Sequence, residues 1–147
     1  MALWQVDIAF IPPGTEVAYG QDGYEVACFG SDIAHSVEVE LSDYLGPRKE
    51  ALKGWLVYGD EKGSRIDLHF EERGVEICGR IDASNPMPLI ELILRISRKL
   101  GCKIYVVESR VVLEPSIQNL LGTVSNSRAA SFVSNPRLFL EKVARES

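Results

Sequence analysis

The chain has 147 residues, 46% hydrophobic and 25% charged, a length and balance that fit one folded domain and exclude a disordered or fibrous chain. Its net charge of -5 is unevenly placed: residues 1–47 hold eight acidic side chains and no Lys or Arg, a charge of -8, whereas residues 48–147 set 16 basic against 13 acidic side chains, a charge of +3. Phosphate contacts need clustered cations, so this distribution argues against general nucleic-acid binding and leaves a cationic partner, a metal or no partner.

In Leu3–Ile11, Trp4, Val6, Ile8 and Phe10 alternate with Gln5, Asp7 and Ala9, which predicts a strand with one buried face ended by Pro12-Pro13-Gly14. Tyr24–Phe29 reads as a short strand between the turns Gln21-Asp22-Gly23 and Gly30-Ser31-Asp32. Ser36–Leu41 alternates again, with Val37, Val39 and Leu41 on one side and Glu38 and Glu40 on the other; around Ser42–Lys53 a helix competes, interrupted by Gly46-Pro47. Trp55–Tyr58 is a short apolar run closed by a turn over residues 59–63.

The next segment predicts a hairpin. Ile66, Leu68 and Phe70 alternate with Arg65, Asp67, His69 and Glu71, and Val75, Ile77 and Ile81 alternate with Glu76, Cys78, Arg80 and Asp82. A two-residue turn at Arg73-Gly74, with glycine supplying a positive φ, opposes Phe70 to Ile77, Ile66 to Ile81, Asp67 to Arg80, Arg65 to Asp82 and His69 to Cys78. The alternative register opposes Arg65 to Arg80, and the cross-strand charge rule disfavours it by roughly 1 kcal/mol. The preferred register leaves one conflict, Glu71 against Glu76.

After Asn85-Pro86-Met87-Pro88, the residues Leu89, Ile93, Ile96 and Leu100 share one face of a helix over Leu89–Leu100, widened by Ile90, Leu92 and Leu94 so that it can lie on a sheet. Arg98 and Lys99 complement its dipole and Gly101 caps it. Cys102–Val107 and Val111–Leu113 form a strand pair, Pro115 or Ser116 opens a brief helix through Leu121, and Thr123–Ser134 reads as a loop or weak helix. Asn135 caps a final amphipathic helix that begins at Pro136 and bears Leu138, Phe139, Leu140 and Val143. The expected fold is a single α+β domain over residues 1–147. Its mainly antiparallel sheet, drawn from the first 83 residues, is covered on one face by Leu89–Leu100, and the C-terminal helices fill an edge or the other face.

Cys28, Cys78 and Cys102 show no Cys-x-x-Cys spacing and read as free thiols of a reducing compartment. The N-terminus has no positive n-region and no segment approaches the ~18 apolar residues of a membrane helix, so a cytoplasmic, soluble protein is expected. The His69–Cys78 couple is a candidate nucleophilic dyad, because an adjacent imidazole can generate a thiolate. No oxyanion-hole loop accompanies it, and an antiparallel sheet with one face in water carries such pairs as a matter of course. Glu38 with Glu40, or Asp67, His69 and Glu71, fall at i, i+2 on one strand face as metal candidates. Paired-Cys and His-x-x-x-His spacings are lacking, and no metal or cofactor is expected. The twelve glycines form no phosphate loop.

The acidic third, with Tyr19, Tyr24 and Tyr44 among its carboxylates, suits a surface that docks on a basic partner. The bland alternative is that it only keeps the protein soluble. Asp22, Tyr24, Glu38, Glu40, Asp43 and Tyr44 are the candidate contact residues.

Arg65-Ile66-Asp67-Leu68-His69-Phe70, Arg80-Ile81-Asp82, the helix from Pro88 to Cys102 and Val112-Leu113-Glu114-Pro115 together resemble a family of small uncharacterised bacterial proteins. Some relatives of that family resemble immunity proteins that protect a cell from polymorphic or contact-delivered toxins. The resemblance covers residues 64–115 and carries over no functional residue. Together with the -8 segment and the lack of a catalytic constellation, it leads to the expectation of a non-catalytic, immunity-type inhibitor that occludes the active site of a cognate cationic toxin; the charge placement and hydropathy argue against a nucleic-acid or membrane partner. A self-associating structural or regulatory module, forming a homodimer through the last helix or a sheet edge, and a small thiol hydrolase using Cys78 and His69 are the other readings.

Overall fold

Gln5–Ile11 forms strand β1 near the middle of the sheet, which is why nearly every residue of it is buried. The computed structural model describes residues 2–146. After β1 come β2 (Ala18–Gly20), β3 (Gly23–Glu25), α1 (Ser31–Leu45), β4 (Lys49–Leu52), β5 (Trp55–Gly59), β6 (Arg65–Glu71) and β7 (Gly74–Asp82). The chain continues through α2 (Met87–Leu100), β8 (Lys103–Val106), β9 (Val111–Leu113), α3 (Ile117–Ser125), α4 (Arg128–Ser134) and α5 (Pro136–Glu146). Seven strands pair antiparallel in the order β4-β5-β6-β7-β1-β8-β9, and β2 and β3 form a separate hairpin. The architecture is α+β, as expected. The sheet reaches beyond the first 83 residues, because β8 and β9 complete it on the far side of β1.

One face of the sheet carries the main core. Ile8 and Phe10 of β1, Ile66 and Leu68 of β6, and Ile77 and Ile81 of β7 pack against Ala34, Val37 and Leu41 of α1 and Leu89, Ile93 and Ile96 of α2. Each fully buried Leu or Ile contributes roughly 1.5–3 kcal/mol relative to exposure. Helix α2 ends as its sequence predicts: Gly101 adopts a left-handed φ of 63° and its N–H donates to the Ser97 carbonyl. Helices α3 and α4 join this same core through Leu120, Val124 and Ala129 instead of covering the other face. Helix α5 starts where expected, with the Leu138 N–H donating to Asn135 Oδ1 at 3.1 Å, yet it buries no residue.

Several expectations about local structure are corrected. The alternating stretch Ser36–Leu41 is helix: Ala34, Val37 and Leu41 follow the 3.6-residue period into the core while Val39 is 67% exposed. The helix competing around Ser42–Lys53 is present only up to Leu45, where α1 stops before Gly46-Pro47; beyond it Lys49–Leu52 is the edge strand β4. The strand at Tyr24–Phe29 shrinks to Gly23–Glu25, with Phe29 making an isolated bridge to Val75. Of the two alternatives over residues 123–134, loop or weak helix, the helix is found: these residues end α3 and form α4, whose Ser127 hydroxyl caps it by accepting from the Ala130 N–H.

The hairpin register is also corrected. Arg65 lies opposite Arg80, Ile66 opposite Gly79, Asp67 opposite Cys78, Leu68 opposite Ile77 and His69 opposite Glu76, so the turn is Glu72-Arg73. Both registers keep the same side chains inward, because they differ by two residues. Two glycines favour the observed one. A Cβ on Gly79 would meet Ile8 Cγ1 at 3.3 Å, so this glycine makes room where Ile66 and Ile8 flank it from either side. Gly74 has φ +137°, and a Cβ there would sit 2.1 Å from the carbonyl oxygen of Phe29, whose backbone bridges Val75.

Candidate functional site

The face of the sheet turned away from α1 and α2 divides into two halves. Period-two alternation brings Ala9 and Ile11 of β1 and Tyr105 of β8 to this face, where the β2–β3 hairpin covers them. Tyr24 packs on Tyr105 with ring centroids 5.1 Å apart, and the Tyr19 and Tyr105 hydroxyls lie 3.2 Å apart. Burial and the Tyr19 hydroxyl push the Tyr105 phenol up to about 12.

The other half is polar. Asp67 is only 3% exposed, and its Oδ2 accepts from Arg65 Nη2 at 3.0 Å and Trp55 Nε1 at 2.9 Å, while its Oδ1 is buried without a hydrogen-bond partner. His69 lies beside Asp67 on the same strand face and stacks on Trp55 at 5.3 Å and 24°. Cys78 sits across from Asp67 on β7. One ligand-type atom from each of Asp67, His69 and Cys78 lies within 4.8 Å of the others. Arg80 completes the row, 3.6 Å from Asp7 of β1. Burial raises the Asp7 carboxyl, and Arg80 partly offsets that. The end of this face is closed by the loop 60–63, whose Lys62 carbonyl accepts from Trp4 Nε1 at 2.6 Å and whose Glu61 carbonyl accepts from Gln5 Nε2 at 3.3 Å.

This geometry does not activate a nucleophile. His69 faces Glu76 and not Cys78 across the strands. Desolvation, then the Asp67 charge, push the Cys78 thiol up to about 12, and burial lowers His69. A nucleophilic dyad needs the reverse at the sulfur, a depressed thiol beside a cation.

Comparison with family models, curated proteins and solved structures finds no match to this chain. Function is therefore read from the chemistry of the surfaces. Among the described residues no helix is long and apolar enough to cross a membrane.

The six candidate contact residues fall on opposite sides of the sheet. Asp22 and Tyr24 belong to the β2–β3 hairpin on the open face, whereas Glu38, Glu40, Asp43 and Tyr44 belong to α1 on the helical face. Glu38 pairs with Arg48 and Glu40 with Lys99, each at 3.2 Å, and their side chains are only 21% and 23% exposed. The Lys99 ammonium also donates to the Ser36 carbonyl, tying α2 to α1. Arg95 lies over the Tyr44 ring at 4.9 Å. Much of the α1 charge is thus matched within the fold.

The hairpin side differs. Glu16, Asp22 and Glu25 are exposed and enter no ion pair among the described residues. Glu71 and Glu76 adjoin Cys28 beside them, and Glu76 is raised by desolvation and by the charges of Glu71 and Glu25, with Arg73 alone opposing. Glu25, Glu71 and Glu76 are absent from the six candidates read off the sequence. Their signal lies in the chain crossing at Phe29, which no local pattern announces.

Proposed function

We propose that this protein is a non-catalytic binding protein, an immunity-type inhibitor that covers a cationic toxin domain with its hairpin-bearing sheet face. The observation that carries the reading is the crowding of Glu25, Glu71 and Glu76 next to the half-exposed Tyr24 and the 58% exposed Tyr19. Like charges held together cost free energy that an approaching cation recovers, and tyrosines supply anchor area with little rotamer entropy to lose. Asp22 extends the acidic rim at the hairpin turn.

The test is capture of the protein encoded immediately upstream by the purified chain. Glu25→Lys with Glu76→Lys is expected to abolish capture, and Tyr24→Ala to weaken it by about 2 kcal/mol, the scale of an aromatic anchor. Asp43→Lys on α1 is expected to leave it unchanged. Undiminished capture by the hairpin-face variants overturns the reading.

A second reading, self-association, draws on α5, whose Leu138 and Leu140 are 58% and 51% exposed. It predicts a dimeric mass by light scattering that becomes monomeric when residues 135–147 are removed. A monomeric mass for the intact chain rejects it.

A further inference from the structure

We infer that Asp67, His69 and Cys78 form a binding site for a borderline-soft divalent cation of the zinc class. The site is independent of the inhibitor reading and lies on the polar half of the open sheet face. Its three donors are one carboxylate oxygen, one imidazole nitrogen and one sulfur, and they lie within 4.8 Å of one another. Tetrahedral zinc, with bonds of about 2.0–2.3 Å, brings its ligand atoms to about 3.3–3.8 Å apart. The donors therefore need to close by roughly 1 Å, which side-chain rotation supplies without moving the strands.

A second observation points to a ligand. The Asp67 side chain is 5% exposed, and its two oxygens are treated unequally: Oδ2 takes both donors, Arg65 and Trp55, while Oδ1 is buried with no partner. A buried carboxylate oxygen without a donor is costly and calls for an occupant. Donors that grip one oxygen and leave the other free orient a carboxylate as the outer-shell partners of a metal ligand do. The Trp55 indole serves twice, since it also stacks on His69 and restrains the plane of the imidazole. Cys78 is held opposite Asp67 by the backbone pairing of β6 and β7. Because all three ligands sit on paired strands, the sheet fixes their backbones and only the side chains need to adjust.

The donor set selects the metal. Magnesium and calcium require oxygen ligands, whereas one sulfur, one nitrogen and one oxygen suit zinc or cobalt. Three protein ligands leave a fourth position for water on the half-exposed side of His69. Coordination breaks the Cys78 S–H bond and forms the metal–sulfur bond, and the proton leaves to solvent. No redox change is involved.

The experiment is titration of the chelator-stripped full chain with Co2+, followed by absorption and then by displacement with Zn2+. The expected result is one equivalent of cobalt with a sulfur-to-cobalt charge-transfer band, bleached by zinc. Cys78→Ser is expected to remove the band and His69→Gln to weaken cobalt binding at least tenfold, with far-UV circular dichroism unchanged. Cys28→Ser and Cys102→Ser are expected to retain the band. Asp67→Asn disrupts a buried ion pair, so the two more exposed ligands carry the test. No charge-transfer band, or a band that survives Cys78→Ser and is lost in Cys28→Ser, overturns the assignment.

Discussion

Arg65 and Arg80 stand directly opposite each other across β6 and β7, and each guanidinium is held by a carboxylate of its own. Asp67 reaches Arg65 at 3.0 Å along the same strand, and Asp7 reaches Arg80 at 3.6 Å from the neighbouring strand β1. The repulsion that disfavours this register is thereby offset by Asp67 within the hairpin and by Asp7 from a third strand.

The two ion pairs differ in burial, so their removal has different consequences. The Arg65–Asp67 side chains are 8% and 5% exposed, those of Arg80 and Asp7 35% and 23%. Asp67→Asn leaves Arg65 buried and uncompensated and is expected to cost about 3–5 kcal/mol. Asp7→Asn costs no more than about 1 kcal/mol, because water screens Arg80. Urea unfolding of both variants checks the order; equal losses contradict it.

Gly74→Ala is expected to destabilise the fold by at least about 2 kcal/mol, since an added Cβ meets the Phe29 carbonyl at 2.1 Å and φ is +137°. The loss should appear as a lower denaturant midpoint with an unchanged slope. A midpoint equal to that of the parent means that the Phe29–Val75 bridge does not constrain this position.

In the metal-free chain the Cys78 thiol, pushed up to about 12, predicts both reactivity and pH dependence. At pH 8 its alkylation is expected to be about 10³-fold slower than that of a free cysteine with a pKa near 8.5. The folded state keeps a proton that the unfolded chain releases above about pH 8.5. Its contribution to stability is therefore complete below that pH and is lost as pH rises toward 12. Cys78→Ser should flatten the alkaline decline in thermal midpoint; an identical decline in both proteins removes this assignment.

Much of the fold is legible in the chain. Period-two alternation identifies β1, β6 and β7, and the wide apolar stripe with Gly101 identifies α2, because each of these patterns is long enough to be unambiguous. Helix α1 is hidden by a local alternation: the β-branched Val37 and Val39 alternate with Glu38 and Glu40 up to Leu41, and only Ala34, a weak hydrophobic signal, restores the helical period. The Asp67–His69–Cys78 cluster is hidden by register. A shift of two residues keeps every face but exchanges every partner, and the residue that decides the charge balance, Asp7, lies far away in sequence. The division of the acidic third between two sheet faces follows from the crossing at Phe29, a tertiary contact with no periodic signature.

The central claim is that the hairpin-bearing sheet face is the binding surface. Amide hydrogen exchange of the chain with and without the protein encoded upstream tests it most directly. The account predicts added protection over Ala18–Glu25 and Glu71–Glu76, with exchange across α1, Ser31–Leu45, unchanged. Protection centred on α1, or none anywhere, contradicts it.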